Sequence, residues 1–135
     1  SWLDALHAFL TDELTRHDKL VVLGDFNIAP ADADIHDPVK WGESILASPA
    51  ERAALEKLLD LGLTDVFRKF EQPEKTFSWW DYRAAGFRRN AGLRIDLILT
   101  TDVMTDACTA SYVDREPRTW ERPSDHTPVI AEFNL

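Results

Sequence analysis

The segment Leu93–Thr101, which reads LRIDLILTT, decides the fold of this chain. Its second half, Leu97–Leu99, is continuously apolar, which is typical of a strand buried on both faces. Another short apolar run, Leu20–Leu23 within KLVVLGDFN, predicts a second buried strand that opens into a loop after Gly24. These two runs predict a sheet at the centre of the domain.

Helical and strand patterns interleave around the two buried strands. Leucines at helical spacing predict an amphipathic helix that ends near His17. A second helix is predicted from Ser48, its N-cap, because Pro49 takes the first helical position, Glu51 completes a capping box and Gly62 ends the pattern. Strands are also predicted at 76–83, 108–114 and 129–135, a helical or turn segment at 65–70, and loops at 28–47 and 83–92. The interleaving predicts an α/β fold with one mixed sheet and flanking helices.

A length of 135 residues predicts one domain, or part of one. No apolar run approaches the ~20 residues needed to span a bilayer, so we expect no membrane partner. The single cysteine, Cys108, fits a reducing compartment, so we expect a cytoplasmic protein. The net charge of −9 is unevenly distributed, because residues 83–122 carry seven arginines, no lysine and six acids. Arginine suits bidentate phosphate contacts, although a solvated face of ion pairs explains the same composition equally well.

Asp25 and Asn27 leave the end of a predicted buried strand on the same side of the chain. A carboxylate there can take a proton or hold a metal-bound water, and an amide can donate a hydrogen bond to a phosphate oxygen. The alternative is an Asx-turn, in which both side chains only cap backbone groups. The two residues alone leave both interpretations open.

Asp96 lies inside the apolar strand, where a carboxylate without a partner loses its hydration at high cost. A histidine held in one tautomer is one predicted partner. An ion pair is the other, since Arg94 lies two residues away and therefore points to the same face of a regular strand.

Asp125 and His126 stand next to each other between Pro123 and Pro128, immediately before a predicted strand. Adjacent side chains of an extended chain point in opposite directions, so one can face a metal while the other faces a phosphate or Asp96. The alternative is a turn in which Asp125 caps the backbone and His126 is merely exposed.

Aromatic residues precede most of the arginines, and they alternate between the two faces of a predicted strand. One face fits the core, and the other, beside the arginines, suits stacking on a base or filling the gap that a missing base leaves. Burial of all of them in the core is the alternative. These residues are Phe77, Trp79, Trp80 and Tyr82.

Three blocks in this order, GDFNIAP, TFSWWDYRAAGFRRNAGLRIDLIL and REPRTWERPSDHTPV, resemble the C-terminal half of the exonuclease III family of apurinic/apyrimidinic endonucleases. That family belongs to the endonuclease/exonuclease/phosphatase superfamily. The resemblance covers almost all of residues 1–135 and implies half of a four-layered, DNase I-like α/β sandwich whose N-terminal half is absent. It also implies Mg²⁺- or Mn²⁺-dependent hydrolysis of double-stranded DNA at abasic sites or 3′ ends.

The resemblance implies specific roles. Asp25 would position or deprotonate water, Asn27 would bind the scissile phosphate, and Asp96 would orient His126, which would polarise that phosphate or share in proton transfer. Asp125 would help to hold the cation, together with Asp25, Asn27 and His126. Residues implied to contact the substrate or to line a pocket for the base-less sugar are Trp79, Tyr82, Arg83, Leu93 and Ile95.

Members of the resembled family are about twice as long, and their first half supplies an early Asn, a metal-binding Glu and a catalytic Tyr. We therefore expect this chain alone to be weakly active or inactive. We also expect the bare inner face of its sheet to bind the missing half or a second copy, since large apolar patches are unusual on monomers. A phosphodiesterase of the same superfamily with a small substrate, and a non-catalytic module that associates through the sheet, are the competing interpretations.

Overall fold

The computed structural model describes residues 2–41 and 44–135, so part of the predicted 28–47 loop lies outside the described residues. None of the described helices is long and apolar enough to cross a bilayer. The helices are α1 (Trp2–Glu13), α2 (Pro38–Trp41), α3 (Pro49–Leu59) and α4 (Asp102–Ala107). The strands are β1 (Val21–Asp25), β2 (Thr64–Asp65), β3 (Trp79–Trp80), β4 (Gly92–Leu93), β5 (Asp96–Thr100), β6 (Cys108–Val113) and β7 (Val129–Phe133).

Strand β5 is the centre of a three-stranded sheet in the order β1-β5-β2. Both neighbours run antiparallel to it, and the register pairs Val22 with Leu99 and Asp25 with Asp96. The end of β1 therefore meets the start of β5, which places two carboxylates at the same edge of the sheet.

One face of this sheet packs against α1 and α3. Leu97 and Leu99 of β5 share a buried cluster with Leu10 of α1 and Leu58 of α3. Full burial of each such leucine contributes about 1.5–3 kcal/mol. The leucines of α1 and the apolar residues of β5 thus form opposite sides of the same core.

The opposite face of the sheet is partly covered, contrary to the expectation of a bare face. Ile98 is buried there with Val66 and Cys108, and Val129 packs against the same cluster. Strands β6 and β7 form a separate antiparallel hairpin that supplies this cover. Leu23 of β1 lies beyond it and stays 63% exposed.

The α/β class with flanking helices is confirmed, while the strand pairing differs from one mixed sheet. Every ladder among the described strands is antiparallel, and the ladders are β1-β5-β2, β3-β4 and β6-β7. The hairpin β6-β7 packs on the central sheet across the cluster around Ile98 instead of extending it. Apolar patterning predicts which residues are buried, but not whether two strands are neighbours within a sheet or between layers.

Several predicted boundaries differ from the structure. The strand expected at 76–83 is reduced to β3, because Asp81 accepts a hydrogen bond from the backbone of Arg83 and bends the chain. The segment expected to be a loop at 28–47 contains α2 and a 3-10 turn at Asp32–Asp34. The first helix ends at Glu13, and backbone turns carry the chain on to His17.

The short hairpin β3-β4 pairs Trp79 with Leu93 and Trp80 with Gly92. A Cβ atom at Gly92 would lie 2.6 Å from the Trp79 carbonyl oxygen and from the Trp80 indole, so this pairing requires glycine. The close approach places Trp79 beside the edge of the sheet where Asp25 meets Asp96.

Candidate active site

Three predicted residues from distant parts of the chain meet at this edge of the sheet. The loop before β7 carries His126, and a backbone bridge joins it to Trp79. Nδ1 of His126 lies 2.9 Å from Oδ2 of Asp96, and Nε2 lies 3.7 Å from Oδ2 of Asp25. One ligand atom from each residue lies within 4.8 Å of those of the other two. This arrangement sets an imidazole between two carboxylates.

Ser78 supports Asp96 from behind, and the sequence analysis missed it. Its side chain is fully buried, and Oγ accepts hydrogen bonds from the backbone N–H groups of Ile95 and Asp96, each at 3.1 Å. The same hydroxyl opposes the rise that burial causes in the pKa of the Asp96 carboxylate. A serine inside the aromatic TFSWW segment was the available signal, since a buried hydroxyl needs a partner.

The pKa values of Asp96 and His126 are shifted by burial and by the groups around them. Burial raises the pKa of Asp96, and its hydrogen bonds with His126 and Ser78 only partly oppose this. Burial lowers the pKa of His126, but the hydrogen bond and charge of Asp96, with the charges of Asp25 and Asp125, outweigh it and leave the pKa raised. The raised pKa favours the protonated form relative to a free imidazole, and in that form Nε2–H can donate a hydrogen bond or a proton to an anion.

Arg94 is not the partner of Asp96. Its buried guanidinium lies 2.7 Å from Asp34 and 2.6 Å from Asp65, and it lies over the ring of Phe67 at 4.6 Å. The prediction of a shared face assumed a regular strand, but β5 begins only at Asp96, so the alternation does not extend back to Arg94. The carboxylate of Asp96 is thereby left to His126.

Asp25 and Asn27 combine the two interpretations left open by the sequence. Asn27 has a positive φ of 53°, and its backbone N–H donates to Oδ1 of Asp25 at 2.9 Å, as in an Asx-turn. Oδ2 of Asp25 meanwhile faces His126. One carboxylate thus caps the turn and borders the site, while Asn27 is exposed beside it.

Asp125 lies at the rim of the same group. Its Oδ2 accepts a hydrogen bond from Nε1 of Trp79 at 3.1 Å, and its Oδ1 lies 4.0 Å from Nε2 of His126. The backbone carbonyl of Asp125 accepts from the N–H of Trp80 at 3.0 Å. Two links to β3 therefore hold the Asp125–His126 segment in place.

The predicted substrate-binding residues fall into different environments. Trp79 is half-buried beside Asp125, whereas Tyr82 is 62% exposed and donates its hydroxyl to the Pro123 carbonyl at 2.9 Å. Arg83 is exposed and pairs with Asp81. The other two, Leu93 and Ile95, are buried in a core cluster.

The donor set fits a hard divalent cation. Among the described residues, Asp25, Asp96 and His126 are close enough to share an ion, but Oδ2 of Asp96 already accepts from His126. Asp25 is then the open carboxylate of this group, and Asp125, whose Oδ1 lies 4.0 Å from Nε2 of His126, is the next carboxylate at its rim. Mg²⁺ commonly takes one or two carboxylates from a protein and keeps several waters. The residues therefore fit a divalent metal.

Comparison with known proteins agrees with this geometry. Residues 1–126 match the model of the Endonuclease/Exonuclease/phosphatase family. The chain is 38% identical to exodeoxyribonuclease III of Haemophilus influenzae over 95% of its own length and 51% of that protein. It thus spans about half the length of this curated relative.

Solved structures with the same fold are also nucleases. The 3′-5′ exonuclease NExo from Neisseria meningitidis is 54% identical, with a TM-score of 0.96 over 99% of this chain and 52% of that one. An AP endonuclease from Archaeoglobus fulgidus is 36% identical, with a TM-score of 0.89 over the same shares. The chain therefore belongs to the endonuclease/exonuclease/phosphatase family, with exodeoxyribonuclease III and AP endonucleases among its relatives.

Proposed function

We propose that the chain is the C-terminal half of a DNA repair nuclease of the exonuclease III type, which hydrolyses phosphodiesters at abasic sites and 3′ ends of duplex DNA. The observation that carries the proposal is the convergence of Asp96, His126 and Asp25 at one edge of the sheet. A cationic imidazole beside a half-exposed carboxylate suits attack by water on a phosphate anion. Five of the seven arginines of residues 83–122 are exposed and add positive charge that DNA binding requires, whereas Arg94 and Arg118 are buried.

In this mechanism Asp96 keeps His126 oriented and protonated through the 2.9 Å hydrogen bond. Nε2–H of His126 then donates to a non-bridging phosphate oxygen and stabilises its developing charge. Asp25, on the other side of the imidazole, positions the attacking water and takes its proton as the water oxygen bonds to phosphorus and the bond from phosphorus to the 3′ oxygen breaks. Asp25 then returns the proton to that leaving 3′ oxygen. The exposed amide of Asn27 donates to the same phosphate.

Mg²⁺, or Mn²⁺, is the cation we propose, held by Asp25 and Asp125 with help from Asn27. His126 was also predicted to belong to this set, but in this mechanism its two ring nitrogens donate to Asp96 and to the phosphate, so it does not bind the cation. When bound, it would stabilise negative charge on the phosphate. Trp79, Tyr82, Arg83, Leu93 and Ile95 remain predicted substrate contacts. The lone buried Cys108 accords with a cytoplasmic location as part of the same proposal.

Removal of a 3′-terminal phosphate is a second candidate reaction at the same site. The 3′ phosphatase NExo from Neisseria, whose structure is bound to a product DNA hairpin, is 54% identical to this chain. The His126–Asp96 arrangement acts on the phosphate itself and suits a monoester as well as a diester. Parallel assays on a 3′-phosphate end and on an internal abasic site distinguish the two reactions.

The test uses a fusion of the first half of the H. influenzae exodeoxyribonuclease III to this chain, assayed for Mg²⁺-dependent nicking of an abasic duplex. We expect activity from the fusion and little or none from the chain alone. His126→Ala and Asp25→Asn should each reduce turnover of the fusion by about 10²–10⁴-fold with little change in fold. Near-normal turnover in either variant contradicts the assignment, and strong nicking by the chain alone contradicts the need for the other half.

A further inference from the structure

A cavity of about 620 Å³ opens next to the candidate active site. It lies between the segment around α2 and the segment 81–91, and Trp79 forms part of its wall. Its volume is within the range of about 300–1,000 Å³ that is typical of sites for small molecules. Leu93 and Ile95, the positions implied for a base-less sugar, are not among the described residues that line it.

The walls of this cavity combine aromatic rings with positive charge. Trp41 and His36 lie in an edge-to-face contact with their ring centres 6.4 Å apart, and both line the cavity with Trp79. The indole N–H of Trp41 donates to the Ile45 carbonyl at 3.0 Å, which fixes the direction of the ring.

Charged side chains at the same cavity are mostly basic. Lys40, Arg83 and Arg89 line it, and the one described acid there, Asp81, is paired with Arg83 at 2.7 Å. The chain as a whole carries −9, so this is a local excess of positive charge on an acidic protein. Flat apolar walls beside cations suit a ligand that joins an aromatic ring to an anion.

Trp79 connects the cavity with the candidate catalytic residues. The indole that lines the cavity donates its N–H to Asp125, the neighbour of His126. The backbone of Trp79 also bridges to that of His126. A ligand in the cavity would therefore contact Trp79, which in turn contacts Asp125 and His126. His126 is the residue that would contact the scissile phosphate.

We propose that the cavity binds a nucleotide that keeps its base, unstacked from the duplex beside the phosphate to be cleaved. This inference rests on the proposed function and specifies its substrate. The base stacks against indole, and the cations hold the adjoining phosphate. A frayed nucleotide at a 3′ end meets this description, whereas a sugar without its base would leave the aromatic walls uncovered.

The first test is an NMR titration of the unsubstituted chain with deoxyadenosine monophosphate, in which the indole N–H signals of the five tryptophans are followed. We expect the signals of Trp41 and Trp79 to shift and that of Trp120, which does not line the cavity, to stay in place. Deoxyribose 5-phosphate, which lacks a base, should not reproduce the shifts. Equal shifts with both compounds, or none at Trp41 and Trp79, overturn the proposal.

The second test compares affinities in EDTA for two duplexes that differ at one position, an unpaired nucleotide in one and a base-less analogue in the other. Trp41→Ala should reduce the preference for the unpaired base by about tenfold, since stacking on an aromatic side chain contributes about 1–3 kcal/mol per base. Trp41→Phe should retain most of it. Trp120→Ala, which removes an exposed indole elsewhere, is the control and should change neither affinity ratio.

These outcomes separate the inference from the proposed function. An active fusion whose cavity gives no base-dependent shifts overturns only the inference. Base-dependent shifts in a chain whose fusion never cleaves DNA support the cavity as a nucleotide site and contradict the nuclease assignment. An unchanged preference in folded Trp41→Ala contradicts the cavity whatever the nuclease assay shows.

Discussion

Asp96 shows how one partly buried carboxylate becomes part of a site. Burial disfavours its ionised form, and two side chains limit that cost: the hydroxyl of Ser78, which also accepts from the Asp96 N–H, and the imidazole of His126. The hydrogen bond with Asp96 uses Nδ1 of His126 and leaves Nε2 to face solvent and Asp25. The same pairing that stabilises the acid also orients the histidine.

Asp96→Asn should lower the pKa of His126, because it removes the charge and the hydrogen bond that favour the imidazolium. An NMR titration of the His126 ring protons in EDTA measures this directly. Asp81→Asn, which removes a carboxylate paired with Arg83, is the control and should leave the titration unchanged. An unaltered His126 pKa in Asp96→Asn contradicts the contribution assigned to this pair.

The raised pKa of His126 also predicts a dependence of stability on pH. A group whose pKa is higher in the folded chain stabilises it fully below the unfolded value of about 6.5, and loses that effect as the pH rises through the folded pKa. His126→Gln should remove this contribution. The free energy of unfolding of the two proteins should therefore differ more at pH 5 than at pH 9, as measured by urea denaturation.

At the scale of elements, α3 has the clearest local signals. The hydroxyl of Ser48 accepts from the Glu51 N–H at 3.2 Å, and the Glu51 carboxylate accepts from the Ser48 N–H at the same distance. Pro49 begins the helix, and Gly62, with a φ of +103°, follows its last turn. Each of these contacts joins residues that are close in sequence, so local interactions largely specify this helix.

Ser48→Ala should therefore lower the free energy of unfolding by about 1 kcal/mol, because it leaves the N–H of Glu51 without its cap. Urea denaturation of the isolated chain measures the change. Thr11→Ala is a matched control, since it also removes a helical hydroxyl, but one that bonds only to the His7 carbonyl within α1. The control should be neutral or slightly stabilising, since alanine favours helix interiors. Equal losses in both variants are incompatible with a specific cap.

At the scale of the whole molecule, the two layers of strands leave an apolar surface beyond the β6-β7 hairpin. Leu23 of β1 is 63% exposed, and Tyr112 of β6 is 41% exposed. Exposed apolar side chains on strands favour association. The relatives contain about as much chain again, so a segment like the rest of those relatives, or a second copy of this chain, can cover these side chains.

We expect the isolated chain to self-associate as its concentration rises, and Leu23→Ser to weaken this association. Sedimentation velocity over a concentration series measures both. Val39→Ser, at an exposed position outside the strands, is the control and should behave as the unsubstituted chain. A chain that is strictly monomeric throughout the series contradicts the expectation.

Local patterns in the sequence determined the helices α1 and α3 and the strands β1 and β5. These features depend on neighbours a few positions apart, whose periodicity and caps are visible in a linear chain. The candidate catalytic residues were instead predicted from the resemblance of three sequence blocks to a known family. Only the tertiary structure decided that Asp96 meets His126 instead of Arg94, that β6-β7 covers the sheet instead of joining it, and that Ser78 lies behind the pair. Each of these contacts joins segments far apart in sequence. The contacts also depend on interruptions of the strands near Asp81 and Asp96, which the hydrophobic periodicity of the sequence does not reveal.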